Sequence, residues 1–70
     1  MKGSEFLRKL KALAKRESKA YRWVPHRGSG SHGTVYFAGA LAVVKDLKKD
    51  IGPGRLAAMC KQLDIRKEDL

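Results

Sequence analysis

His32 is the residue of this chain best suited to do chemistry. It closes a run of small residues, Gly28-Ser29-Gly30-Ser31, and Gly33 then leads into the β-branched and aromatic stretch Thr34-Val35-Tyr36-Phe37. An imidazole changes charge near neutral pH, so it can both take up and release a proton. Consecutive glycine and serine N–H groups can form a nest for a phosphate oxygen. Glycine also lets a bulky backbone approach closely, because no side chain intervenes. Arg27 stands beside this run as a phosphate ligand. The chemistry these residue types share is proton transfer next to a bound phosphate, as in phosphodiester cleavage. RNA brings its own nucleophile, the 2′-OH, so one histidine amid cations could cleave it without metal. The sequence has no acidic cluster of the kind that holds catalytic magnesium. Nor does it have a Cys/His group with zinc spacing.

The same residues, 28–33, also match G-x-G-x-x-G letter for letter. The dinucleotide fingerprint needs a strand before it and a helix after it. Strand chemistry follows here, so no βαβ unit fits and the nucleotide reading is rejected. The plain alternative is a hairpin loop that is glycine-rich only for its turn angles. His32 weighs against that alternative. Strand alternation from His32 puts Thr34 and Tyr36 on its face, and Gly33, Val35 and Phe37 on the other. Val35 and Phe37 are the better core residues, so His32 is expected on an open face at the mouth of the loop.

The elements that must position it follow from periodicity. Ser4 can cap a helix beginning near Glu5. Phe6, Leu7, Leu10, Leu13 and Ala14 then recur at helical spacing, with Arg8, Lys9, Lys11, Lys15 and Arg16 opposite. Residues 21–24, 34–37 and 41–44 read as three strands, with Pro25 ending the first and Ala38-Gly39 forming a tight turn. A second helix starts near Pro53, with Gly52 or Asp50 at its cap and Leu56, Ala57, Cys60 and Leu63 as its apolar stripe. Residues 64–70 read as a short closing turn that places Ile65 and Leu70 on the core. The order is α-β-β-β-α in one domain, residues 1–70. This is an α+β layout in which two helices cover one face of a three-stranded antiparallel sheet and leave the other open. Lys45 follows the third strand, but residues 41–44 are apolar on both faces, so its side is not fixed by the pattern.

Composition narrows the partner. Sixteen Lys and Arg against seven Asp and Glu give a formal charge of +9 in 70 residues. Such an excess in a chain this small points to a polyanion, most often nucleic acid. The single cysteine, Cys60, excludes an internal disulfide. No apolar run reaches membrane-spanning length, and there is no secretory signal. The chain is therefore expected in the cytoplasm, without a membrane partner. A core this thin, with many of its apolar residues alanine, makes either a bound partner or a marginally stable monomer.

Several segments together resemble the HicA family of small toxins from type II toxin–antitoxin modules. "SEFLRKLKAL" is similar to the family's opening helix. "RGSGSHGTVYF" resembles its G-S-H signature, with His32 at the catalytic histidine. "VKDLKKDIGPGRLAAMCKQLDI" resembles the closing segment, where a basic stretch precedes the last helix, and "RKEDL" fits as well. The resemblance covers nearly the whole chain. One departure is visible: many members carry a second histidine or an aromatic directly after the signature histidine, and here Gly33 stands there. The resemblance implies a fold similar to double-stranded-RNA-binding domains. It also implies an mRNA-cleaving toxin, an endoribonuclease without cofactor, held in check by an acidic HicB-type antitoxin that covers the active site.

On this basis His32 is the expected general base or acid. Gly28, Ser29, Gly30 and Ser31 position the RNA backbone, and Arg27, Lys45, Lys48 and Lys49 hold phosphates. The group that protonates the leaving 5′-oxygen is left open among His26, Tyr36 and a lysine. A non-catalytic RNA-binding module of the same fold is the rival reading, and His32 alone separates the two.

Overall fold

A computed structural model describes residues 1–28 and 30–70. The first helix, α1, spans Gly3–Arg16. Its apolar stripe is the one expected: Phe6, Leu7, Leu10, Leu13 and Ala14 are all buried. The cap is not. Lys2 occupies the N-cap position and no side chain caps the helix, so Ser4 lies inside the first turn. The first N–H groups of a helix need acceptors, whichever group supplies them. Here the Gly3 and Ser4 N–H groups donate to the carbonyls of Lys49 (3.2 Å) and Leu47 (3.0 Å). A backbone segment does the capping, which makes a serine side chain redundant. Gly3 permits that approach, because a Cβ there would collide with the Asp46 carbonyl.

Three strands follow: β1 (Tyr21–Pro25), β2 (Gly33–Phe37) and β3 (Ala40–Val44). They form one antiparallel sheet in the order β1-β2-β3. Each runs one residue beyond the expected limits, and Pro25 is the last residue of its strand rather than the stop after it. Ala38 (φ 51°) and Gly39 (φ 87°) both take positive φ, as a two-residue type I′ hairpin turn requires. That turn matches the right-handed twist of β2 and β3 and so holds their register.

The second helix, α2, spans Pro53–Gln62, with Gly52 at the N-cap and proline in its first turn. Leu56, Cys60 and Leu63 face the core as expected. Met59 takes the place assigned to Ala57, which is exposed. The helix is rotated enough to bring the long flexible thioether inward, where it fills more volume than a methyl group can. Both helices end on a residue in the left-handed conformation, Ser18 (φ 56°) and Asp64 (φ 57°). Beyond each, an N–H closes back on the helix: Lys19 to the Ala14 carbonyl (2.8 Å) and Ile65 to the Cys60 carbonyl (3.0 Å). A single 3-10 turn, Lys67–Asp69, closes the chain. Ile65 and Leu70 pack against the core, as the pattern indicates.

The helices and the sheet share one core. Phe6, Leu10, Leu13, Val35, Phe37, Val44 and Leu63 are its largest fully buried side chains. Both helices therefore lie on the Val35–Phe37 face. The other face carries Tyr36 (40% exposed), Leu41 (51%) and Val43 (40%) with no layer over them. No helix is long and apolar enough to cross a membrane among the described residues.

The turn is the cheapest place to gain stability. Alanine in the left-handed region costs about 1–2 kcal/mol, and asparagine tolerates it better. Ala38→Asn should stabilise the fold by up to about 1 kcal/mol, raising Tm by roughly 4–8 °C for a domain of this size. Thermal unfolding followed by circular dichroism measures it; an unchanged or lower Tm contradicts the strain.

Candidate active site

The register of the sheet decides which residues meet. On β1 and β2, Pro25 pairs with Gly33, Val24 with Thr34 and Arg22 with Tyr36. The pairing then continues one step past both strands. The His26 N–H donates to the His32 carbonyl at 2.9 Å. Alternation carries His26 onto the face of Val24 and His32 onto the face of Thr34, which is the open face. On the other side of β2, Gly33 pairs with Val44 in the last pair of that ladder, and Lys45 follows directly after it. The structure thus resolves the side taken by Lys45. Ala42 and Val44 are buried while Leu41 and Val43 are exposed, so alternation turns Lys45 towards the open face, at the outer edge of the sheet.

The result is a row of two histidines at the end of the sheet, His26 and His32, with Lys45 at the adjoining end of β3, all three exposed. Residues paired across antiparallel strands hold their Cβ atoms about 4.5–5.5 Å apart. One ring is anchored. The Nε2 atom of His26 lies 2.9 Å from Oγ1 of Thr34, one row further in. His26, six positions upstream of His32, was only one of several open possibilities in the sequence. The available signal was the hairpin itself: the loop returns the chain directly, so residues flanking it must pair.

Gly33 lies between the histidine row and the core, and it is small for a reason. A Cβ there would run into the Trp23 ring and the Val24 carbonyl. The indole of Trp23, half-buried against the core, occupies the space under β2. This accounts for glycine directly after His32, where a larger residue would displace the ring.

The loop from 26 to 32 holds the remaining residues singled out from the sequence. Gly28 takes φ 78°, a conformation that favours glycine. Arg27 and Gly30 are exposed, and a Cβ added at Gly30 would meet nothing. Ser31 is half-buried, and its carbonyl accepts the Leu47 N–H at 3.2 Å. Ser29, assigned to the same phosphate nest, lies outside the described residues. Lys48 and Lys49 are exposed on the segment after β3, which the Leu47–Ser31 bond ties to the loop. The Lys48 N–H donates to Oδ1 of Asp46 at 2.8 Å, which shapes that turn.

Arg55 joins this end of the molecule, although the motif did not include it. Its Nη2 donates to the Val43 carbonyl at 3.0 Å, binding the first turn of α2 to the outer edge of β3. A groove of about 160 Å³ between them is lined by Lys45, Lys49 and Arg55 but also by Asp46 and Asp50. Its mixed charge makes it a poorer anion site than the open face. Cys60 is no candidate nucleophile. It is buried, and burial pushes its thiol pKa up, outweighing the opposing pull of Lys67. Among the described residues, no three His, Cys, Asp or Glu side chains group as metal ligands.

No family model matches this chain, and no curated protein or solved structure matches it either.

Gly33→Ala tests the packing that supports the row. The added methyl group must move Trp23 or part β1 from β2, which should destabilise the fold by about 1–3 kcal/mol. Chemical denaturation gives the free energy, and tryptophan fluorescence reports the ring. Parental stability with unshifted emission would show that Trp23 does not hold β2 in place.

Proposed function

We propose that this chain is a toxin of the HicA type, an endoribonuclease that cleaves mRNA through His32 without a metal or cofactor. The observation that carries the reading is the position of His32. It is an exposed imidazole, on the open face of a sheet, between a glycine loop and Lys45. In this reading the helix–sheet layout corresponds to the double-stranded-RNA-binding type of fold, and the protein acts in the cytoplasm.

The mechanism follows from placement. The 2′-OH of one nucleotide attacks the adjacent phosphorus, and His32 takes its proton as general base. Lys45, at the adjoining end of β3, supplies positive charge for the non-bridging oxygens in this reading. Arg27 at the start of the loop, and Lys48 and Lys49 beyond β3, hold neighbouring phosphates. The backbone of Gly28, Gly30 and Ser31 presents a surface that a sugar-phosphate chain can approach without meeting side chains.

The same face suits an inhibitor. An acidic partner of HicB type would cover the histidine row and rest on Tyr36, Leu41 and Val43, which are apolar and exposed. Blocking His32 would suffice, with no need to unfold the toxin. Apolar contact at that face would let the complex outlast the screening of its charges by salt.

His32→Ala should abolish RNA cleavage and toxicity while fold and RNA binding persist. An exposed residue at a strand end contributes about 0.5 kcal/mol or less to stability. Loss of a general base costs on the order of a hundred- to ten-thousand-fold in rate. Single-stranded RNA incubated with each protein, in the presence of chelator, measures it. A variant that cleaves at the parental rate rules out the mechanism. Wild-type protein that binds RNA without cleaving it favours a binding module instead.

A second measurement addresses the lysines. Each phosphate neutralised releases counterions, so RNA affinity should fall steeply with salt. Lys48→Ala combined with Lys49→Ala should flatten the plot of log affinity against log salt by roughly one to two units. An unchanged slope would remove both residues from the phosphate contacts and leave Arg27 and Arg55 as candidates.

A further inference from the structure

We infer that His26 is the second proton-transfer group of this site, the acid that protonates the leaving 5′-oxygen, and that Thr34 holds it in position. The inference rests on the ribonuclease reading and extends it. Attack by the 2′-OH forms a P–O2′ bond and breaks the P–O5′ bond. One proton leaves the 2′-oxygen and another must reach the 5′-oxygen, on the opposite side of the phosphorus. His32 accepts the first. A single imidazole beside an in-line displacement is poorly placed to deliver the second, so a separate donor is needed within reach of the same phosphate.

His26 meets that need by geometry. It stands opposite His32 in register, joined through the His26 N–H to the His32 carbonyl, and alternation sets both on the open face. Both are exposed, so substrate can reach them. Cross-strand neighbours hold their Cβ atoms about 4.5–5.5 Å apart, a spacing that leaves room for a phosphate between two rings. Thr34 supplies the orientation. As an imidazolium, His26 donates Nε2–H to Thr34 Oγ1, 2.9 Å away, and keeps Nδ1–H for the substrate. After transfer the 5′-oxygen leaves as a hydroxyl, a 2′,3′-cyclic phosphate remains, His32 carries the proton taken from the 2′-OH, and His26 is neutral. Solvent exchange restores both rings. Tyr36, two rows away from His26, and Lys45, on the far side of His32, are less well placed for this step.

A leaving group that needs no proton separates this role from any other. Wild-type protein, His26→Ala, His32→Ala and Thr34→Val are compared on an RNA oligonucleotide and on the same oligonucleotide with sulfur replacing the 5′-oxygen at the scissile phosphate. A thiolate departs unprotonated. Melting temperatures of the four proteins are measured alongside. His26→Ala should lose about a hundredfold or more on ordinary RNA, yet cleave the thio substrate within about threefold of wild type. His32→Ala should lose activity on both. Thr34→Val should show a smaller loss confined to ordinary RNA, with Thr34→Ser restoring it. Parental activity of His26→Ala on ordinary RNA overturns the inference. So does an equal loss on both substrates, which would make His26 a residue that binds or supports rather than an acid. Wild-type protein that cleaves neither substrate overturns the ribonuclease reading itself, a result distinct from both of these.

Discussion

Burying Val35 and Phe37 under two helices fixes nearly everything about the far side of this sheet. Side chains on a strand alternate, so committing two residues of β2 to the core commits Thr34 and Tyr36 to the opposite face. The neighbouring strands have no freedom either. Hydrogen bonding to β2 aligns Val24 and Val43 with Thr34, and Arg22 and Leu41 with Tyr36. A slip of one residue would bury Thr34 and expose Val35, so the register is held by the whole apolar core. The histidine row is the continuation of that pattern past the strand ends. It needs no special loop conformation to form, only one more step of pairing.

A second constraint keeps the ends of the row from fraying. The segment after β3 bonds to the loop through Leu47 and Ser31, and it caps α1 through the carbonyls of Leu47 and Lys49. The Ile51 N–H then donates to the Met1 carbonyl at 2.7 Å, and the amino terminus pairs with Asp50 at 3.4 Å. One short stretch of backbone therefore connects the histidine loop, the first helix and the entry to α2. In a chain with no disulfide, such backbone ties do part of the work that a larger core would do. They also explain why Gly3 matters: any side chain at that point would collide with the Asp46 carbonyl and push the capping segment away.

Much of this was legible because it follows from periodicity. The stripe of α1, the inward Val35 and Phe37, the Ala38-Gly39 turn and the proline start of α2 each have a local physical signature. What was not legible depends on contacts between distant segments. Ser4 looked like a cap because a serine before an apolar run is one; only the approach of 46–49 makes it unnecessary. Ala57 and Met59 differ by a modest rotation of α2, which packing decides and sequence spacing does not. Lys45 could not be assigned a face until Ala42 and Val44 were known to be buried. His26 is the most instructive case, because its role in the row depends on register across a loop. Chain separation hid a pair that the hairpin brings together.

The charges follow the same division of the molecule. No charged side chain among the described residues is buried. Among the described residues, the ion pairs engage Lys9, Lys19, Arg66 and the amino terminus. Arg27, Lys45, Lys48 and Lys49 are in none of those pairs, and Asp46 and Asp50, the carboxylates nearest to the three lysines in sequence, accept from the Lys48 N–H and pair with the amino terminus, respectively. The end of the sheet that carries the two histidines is thus left with an excess of positive charge. Self-repulsion of that kind destabilises a compact state, and a small core has little stability to spare. A bound polyanion relieves the repulsion and, by binding only the folded chain, also stabilises it. A surplus of cations around the histidine row, only partly offset by Asp46 and Asp50, is therefore unfavourable for the free protein unless a polyanion is bound.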